Sequence, residues 1–298
     1  MKIGIVGGGS IGLLFAGYLG ELFDVTLIVR RESQVNALLR NGVTIHKEST
    51  SITTIVQATT SMKAESDFNL VIVTVKEYDL SSIENELIEI GITLPILFVQ
   101  NGIGHINWVK SLPHPNLVAA SVEHGAMRVN DDTVRHLGEA KTNIALIRGE
   151  WGVVEEVAAK SIDTFPFLYK SDYEEMLLSK LFINVLINPL TALTGVTNGK
   201  LVDNPHFHRI QRELFHELLL LFPHMEGIIS IEDVIGICHN TYLNRSSMLK
   251  DIETLRKTEI ESILGVLLER AHEENHFVPI MNILYSLVKG IEREGLGG

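Results

Sequence analysis

The chain has 298 residues, enough for one large domain or two of ordinary size, and a chain this long buries enough surface to fold without disulfide or metal staples. Hydrophobic residues make up 45% and charged residues 21%, a globular composition that excludes a disordered chain, and the lone Cys238 excludes an internal disulfide and suits a reducing compartment. The formal net charge of −12 excludes a general binder of nucleic acid or anionic membrane, though it leaves room for one locally basic pocket.

Read in order, the first 120 residues alternate short apolar runs with helical patterns. Lys2–Val6 is followed by a glycine loop and by Ile11–Leu22 at helical period. Val25–Val29 precedes a helix over Glu32–Leu39 that stops at Asn41–Gly42. Further runs lie at Leu70–Val75, Ile96–Val99 and Leu117–Ala120, with helices near 80–90 and 104–111, and small edge strands are expected between Val43 and Thr60. Buried strands alternating with helices predict βαβ units and a parallel sheet. After Tyr169 the pattern turns helical, with turns expected at Asn188–Pro189, Asn204–Pro205 and Val278–Pro279. The expected organisation is a dinucleotide-binding α/β domain over 1–168 and an all-helical substrate domain over 169–298, with a cleft between them. The N-terminus lacks the apolar core of a signal peptide, and the apolar stretches near 177–193 and 214–223 are interrupted by polar residues. A soluble cytoplasmic protein is expected.

Gly7-Gly8-Gly9-Ser10-Ile11-Gly12 spells G-x-G-x-x-G. Directly after a strand and opening a helix, that string reads as a pyrophosphate cradle: Gly7 for the turn, Gly9 for close backbone approach, Gly12 for helix–strand packing. Arg30 and Arg31 follow the second strand. A basic residue there suits a ribose 2′-phosphate, whereas Glu32, its rival, would suit a free 2′-hydroxyl. Arg30 at the strand tip favours NADP(H). Lys76 closes the run Leu70–Val75, and Gln100-Asn101-Gly102-Ile103-Gly104 follows the next strand. On a helix, Lys180, Asn184 and Asn188 form an i, i+4, i+8 stripe in an apolar segment, and buried polar groups are costly unless a ligand or partner satisfies them. Ser246-Ser247-Met248-Leu249-Lys250-Asp251 and Thr258-Glu259-Ile260 add hydroxyls and carboxylates.

With these motifs in this order over nearly its whole length, the chain resembles the ketopantoate reductases of the 6-phosphogluconate-dehydrogenase-like superfamily. The resemblance implies NADPH-dependent reduction of 2-dehydropantoate to (R)-pantoate, a step toward pantothenate and coenzyme A. It implies Lys180 as general acid and Glu259 as its partner and that of the substrate hydroxyl. Asn184, Asn188, Ser247 and Asn101 are then substrate contacts. The implied cofactor contacts are Gly7, Gly8, Gly9, Ser10, Ile11, Gly12, Arg30, Lys76, Asn101 and Glu259. Two departures bear on pocket shape: Leu178 stands where the family often has Trp, and the glycine-rich segment after His136 is reduced to Gly138. Reduction of another branched 2-oxo acid, or an NADP(H) sensor without catalysis, are the alternatives, and a homodimer is a possible assembly.

His272-Glu273-Glu274-Asn275-His276 spells the zinc-protease string H-E-x-x-H, but the helix is expected to end before Pro279 and no further His, Cys or Asp follows. No metal site is expected. The sequon at Asn244 carries no weight without a secretory signal, and Cys238 reads as a buried helical residue.

Overall fold

The computed structural model describes residues 1–48, 50–64 and 67–296. Its first compact unit comprises 1–100 and 105–176, and its second 101–104 and 177–298.

The first unit is built from β1 (Lys2–Val6), α1 (Ser10–Leu19), β2 (Asp24–Ile28), α2 (Glu32–Asn41), β3 (Val43–His46), β4 (Ser51–Thr54), β5 (Gln57–Thr59), β6 (Leu70–Val73), α3 (Glu84–Glu89), β7 (Ile96–Phe98), α4 (Ile106–Ser111), β8 (Leu117–Val122), β9 (Gly125–Arg128), β10 (Thr133–Gly138), β11 (Thr142–Arg148), α5 (Val153–Ala159) and β12 (Phe167–Tyr169). Eight strands form one sheet in the order β12-β11-β8-β7-β6-β1-β2-β5, parallel throughout except where β11 meets β8. Alternate residues face opposite sides of a strand. Accordingly Ile3, Ile5, Leu70, Ile72 and Leu97 enter one core, while Val71, Val73, Ile96 and Phe98 enter another. Strands buried on both faces read as unbroken apolar runs, which is why β1 and β6 were conspicuous in the sequence. The smaller sheet, β4-β3-β10-β9, holds the segment between Val43 and Thr54.

Since β1 lies between β2 and β6, the order of strands reverses at its C-terminal end. Ligands of open α/β sheets bind at such a point.

The helices continue with α6 (Tyr173–Thr194), α7 (Asn198–Asp203), α8 (Pro205–Leu221), α9 (Ile231–Asn240), α10 (Ser247–Glu253), a π-helical stretch over Glu261–Gly265, α11 (Val266–Glu273) and α12 (Pro279–Leu296). Leu178, Leu181, Phe182, Val185 and Leu186 of α6 lie at the centre of the helical unit's core. By length and hydropathy α6 could cross a membrane, but 72% of its apolar window is buried inside the protein. A core helix of a folded domain meets the same criterion.

The turn expected at Asn188–Pro189 is absent: α6 runs through Pro189 for 22 residues. Proline removes one intrahelical hydrogen bond, and the burial of Ile187, Leu190 and Ala192 in the core outweighs that loss. Asn204–Pro205 does mark a boundary. The Asn204 side chain accepts from the His206 amide at 3.0 Å, and Pro205 takes the first helical position, where its missing N–H costs nothing. Strand limits otherwise differ from the sequence reading by one or two residues, as at Leu70–Val73.

Candidate active site

The glycine loop is held from behind. Thr74 Oγ1 donates to the carbonyls of Val6 and Gly7, each at 3.0 Å, and Gln34 Nε2 donates to the Gly8 carbonyl at 2.9 Å. Those carbonyls are turned inward, and the Gly7 amide donates to the Ile28 carbonyl at 2.9 Å, which leaves the amides at the start of α1 for a ligand. The first bond at the start of α1 runs from the Leu13 amide to the Gly9 carbonyl, so the amides of Ser10, Ile11 and Gly12 have no carbonyl within the helix to reach. Together with the helix dipole they form an anion site.

The glycines have separate reasons. Gly7 has φ +115°, a conformation that L side chains avoid, and a Cβ on Gly12 would lie 1.8 Å from the Gly7 carbonyl oxygen. A Cβ on Gly9 would meet nothing within 4 Å, so the approach to the helix end is open. These are the features a dinucleotide pyrophosphate requires, and the residues present fit that group.

At the tip of β2 the two arginines diverge. Arg30 Nη1 lies 3.2 Å from Asp79 Oδ1, with the arginine side chain 84% exposed. Arg31 is ion-paired with Asp131, whose backbone carbonyl also accepts from Gln34 Nε2 at 2.9 Å. Glu32 opens α2 and accepts from Thr60 Oγ1 at 3.2 Å. Lys76 is exposed just beyond β6 and begins the 3₁₀ turn Glu77–Ile83. The buried Gln100 Nε2 donates to the carbonyls of Val73 and Val75 at 3.0 and 2.9 Å, bracing the end of β6 on which Lys76 follows. The sequence drew attention to Asn101 and passed over Gln100. A buried amide at a strand end is the signal that could have found it.

In the second unit, Asn101 Nδ2 donates to Glu259 Oε2 at 3.0 Å, bringing together two predicted residues 158 positions apart. Their loops meet at close range. Gly102 has φ +80°, and a Cβ there would come within 2.3 Å of the Ser262 carbonyl oxygen. The Glu259 segment is fixed on its own side: the Thr258 amide donates to buried Glu292 at 2.6 Å, and Thr258 Oγ1 accepts from the Ile260 amide at 3.2 Å. The π-helical stretch Glu261–Gly265 follows at once.

Lys180 and Asn184 are half-buried on α6, and Asn188 is buried. Ser247 is exposed at the first position of α10. Its neighbour Ser246 is the cap: Ser246 Oγ accepts from the Leu249 amide at 3.0 Å and from Thr191 Oγ1 at 2.7 Å. That link between α6 and α10 was not read from the sequence, where the two serines look alike.

The helix that carries the zinc-protease string ends at Glu273, before His276, and Asn275 has φ +57°, so the two histidines do not share a helical face.

A doubly wound sheet with a glycine cradle at its switch point, followed by a helical unit, defines a dinucleotide-binding protein. The chain belongs to the ketopantoate reductase PanE/ApbA family, whose model matches residues 3–149 and whose C-terminal model matches 172–292. It is 36% identical to the 2-dehydropantoate 2-reductase of Bacillus subtilis (strain 168), over 98% of each chain. The crystal structure of PanE from Bacillus subtilis covers 98% of this chain and 100% of its own, with a TM-score of 0.89 and 35% identity. A ternary structure of D-mandelate dehydrogenase with NADH and anilino(oxo)acetate has a TM-score of 0.88 over 99% of both chains, and at 19% identity it shares the fold alone.

Proposed function

We propose that the chain reduces 2-dehydropantoate to (R)-pantoate with NADPH, in the cytoplasm, as a step toward pantothenate. The observation that carries this is the match, over 98% of each chain, to a curated 2-dehydropantoate 2-reductase.

When bound, NADPH supplies the hydride. The amides of Ser10, Ile11 and Gly12 would bind its pyrophosphate and Arg30 its 2′-phosphate, with Lys76 and Asn101 as further contacts. Reduction of a ketone leaves negative charge on oxygen, and Lys180 Nζ stabilises that charge and delivers the proton. Asn184, Asn188 and Ser247 hold the hydroxyl and carboxylate groups of the substrate. Glu259 accepts from a substrate hydroxyl, and Asn101 fixes its carboxylate so that one oxygen stays directed. The chain acts as a homodimer. Ile283, Leu287 and Ile291, an exposed apolar row along α12, support that assembly.

The test is product identification. Chiral chromatography after incubation with NADPH and 2-dehydropantoate should find (R)-pantoate in amounts equal to the NADPH consumed. Absence of pantoate with the enzyme at micromolar concentration would refute the proposal.

A further inference from the structure

Arg30 is the basic residue assigned to the 2′-phosphate, and it already has an anionic partner. The Asp79 carboxylate reaches it across the sheet, from the 3₁₀ turn beyond β6 to the tip of β2, at 3.2 Å. Asp79 is held in that position: its amide donates to the Lys76 carbonyl at 2.9 Å, and its side chain is only 22% exposed while that of Arg30 is 84% exposed. The carboxylate is therefore the fixed member of the pair and the guanidinium the adjustable one.

Arg31 is itself ion-paired with Asp131, so each arginine at the tip of β2 already faces one carboxylate. A 2′-phosphate must either displace Asp79 from Arg30 or share the guanidinium with it, and both weaken binding. A 2′-hydroxyl meets no such penalty, since a carboxylate accepts from it.

We propose that Asp79 sets the discrimination between 2′-phosphorylated and unphosphorylated dinucleotides, competing with the phosphate for Arg30 and so lowering the preference for NADPH over NADH. The inference rests on the nucleotide site described above. One carboxylate charge close to a phosphate of about −1.5 to −2 charges, in a solvent-exposed setting, corresponds to roughly a five- to tenfold change in affinity.

Isothermal titration calorimetry of NADPH and NADH, with adenosine 2′,5′-bisphosphate against AMP as fragments, tests it on the full chain. Asp79→Asn should tighten NADPH and the bisphosphate about five- to tenfold and leave NADH and AMP within about twofold. On an Arg30→Gln background the same substitution should gain less than half as much in free energy. A gain below threefold for NADPH, a loss, or a gain undiminished by Arg30→Gln would overturn the role of Asp79 while leaving the nucleotide site intact. Failure of the wild-type chain to bind either dinucleotide would overturn both.

Discussion

Lys180 bears the chemical burden of the proposed reaction, and its substitution separates chemistry from binding. Lys180→Ala should lower kcat by about 10²- to 10⁴-fold, the usual contribution of a positioned general acid. The Kd for NADPH, measured by calorimetry, should stay within about threefold, because the proposed cofactor cradle lies on β1 and α1. Equal turnover of the variant and the wild type would remove the lysine from the mechanism. Histidines give a second residue-scale prediction, for pH. Burial pushes both His105 and His124 down to about 4, so the folded state keeps them neutral. The unfolded chain protonates them near 6.5, so their contribution to stability is complete above that pH and is lost as the pH falls through 4. Both tryptophans, Trp108 and Trp151, belong to the same compact unit as these histidines. The urea midpoint read by tryptophan fluorescence should therefore fall between pH 6.5 and 4. His105→Leu should flatten that fall, because neither His105 ring nitrogen has a hydrogen-bond partner among the described residues. An unchanged slope would show that His105 does not contribute.

Elements explain which parts of the site were legible. The strands of the parallel sheet and the glycine loop announced themselves as apolar runs broken by G-x-G-x-x-G, because a strand covered on both faces has no polar alternation to hide it. Helix α6 was legible as a stripe, but its length was not: Asn188-Pro189 reads as a break on local preference, and only the surrounding core reveals why the helix continues. Gly102 has a specific task in the structure, letting the Asn101 loop lie against the Ser262 carbonyl. Gly102→Ala places a side chain in left-handed backbone and against that oxygen. It should destabilise the second unit by about 2 kcal/mol or more, seen as a lower urea midpoint by far-UV circular dichroism. A midpoint equal to the wild type would mean that the two loops separate freely. The same holds at α10. Ser246 rather than Ser247 carries the cap, so Ser246→Ala should cost about 1 kcal/mol and Ser247→Ala much less.

On the scale of the whole molecule, the sequence disclosed the order of chemistry-bearing segments and their division between an α/β part and a helical part. What it could not disclose was pairing over long separations. The bond from Asn101 to Glu259 and the partnership of Arg30 with Asp79 join residues whose local sequence contains no trace of each other. Charge tells a similar story: a formal −12 describes the surface as a whole and says nothing of how carboxylates gather around two arginines at one strand tip. The substrate assignment is tested by the ratio of kcat/KM values for NADPH-dependent reduction of 2-dehydropantoate against a panel of other branched 2-oxo acids, followed by NADPH absorbance. With the proposed contacts, 2-dehydropantoate should exceed every other acid by at least tenfold, since an analogue without its hydroxyl would leave the groups assigned to it unpaired. Equal or faster turnover of an acid lacking that hydroxyl would contradict the assignment.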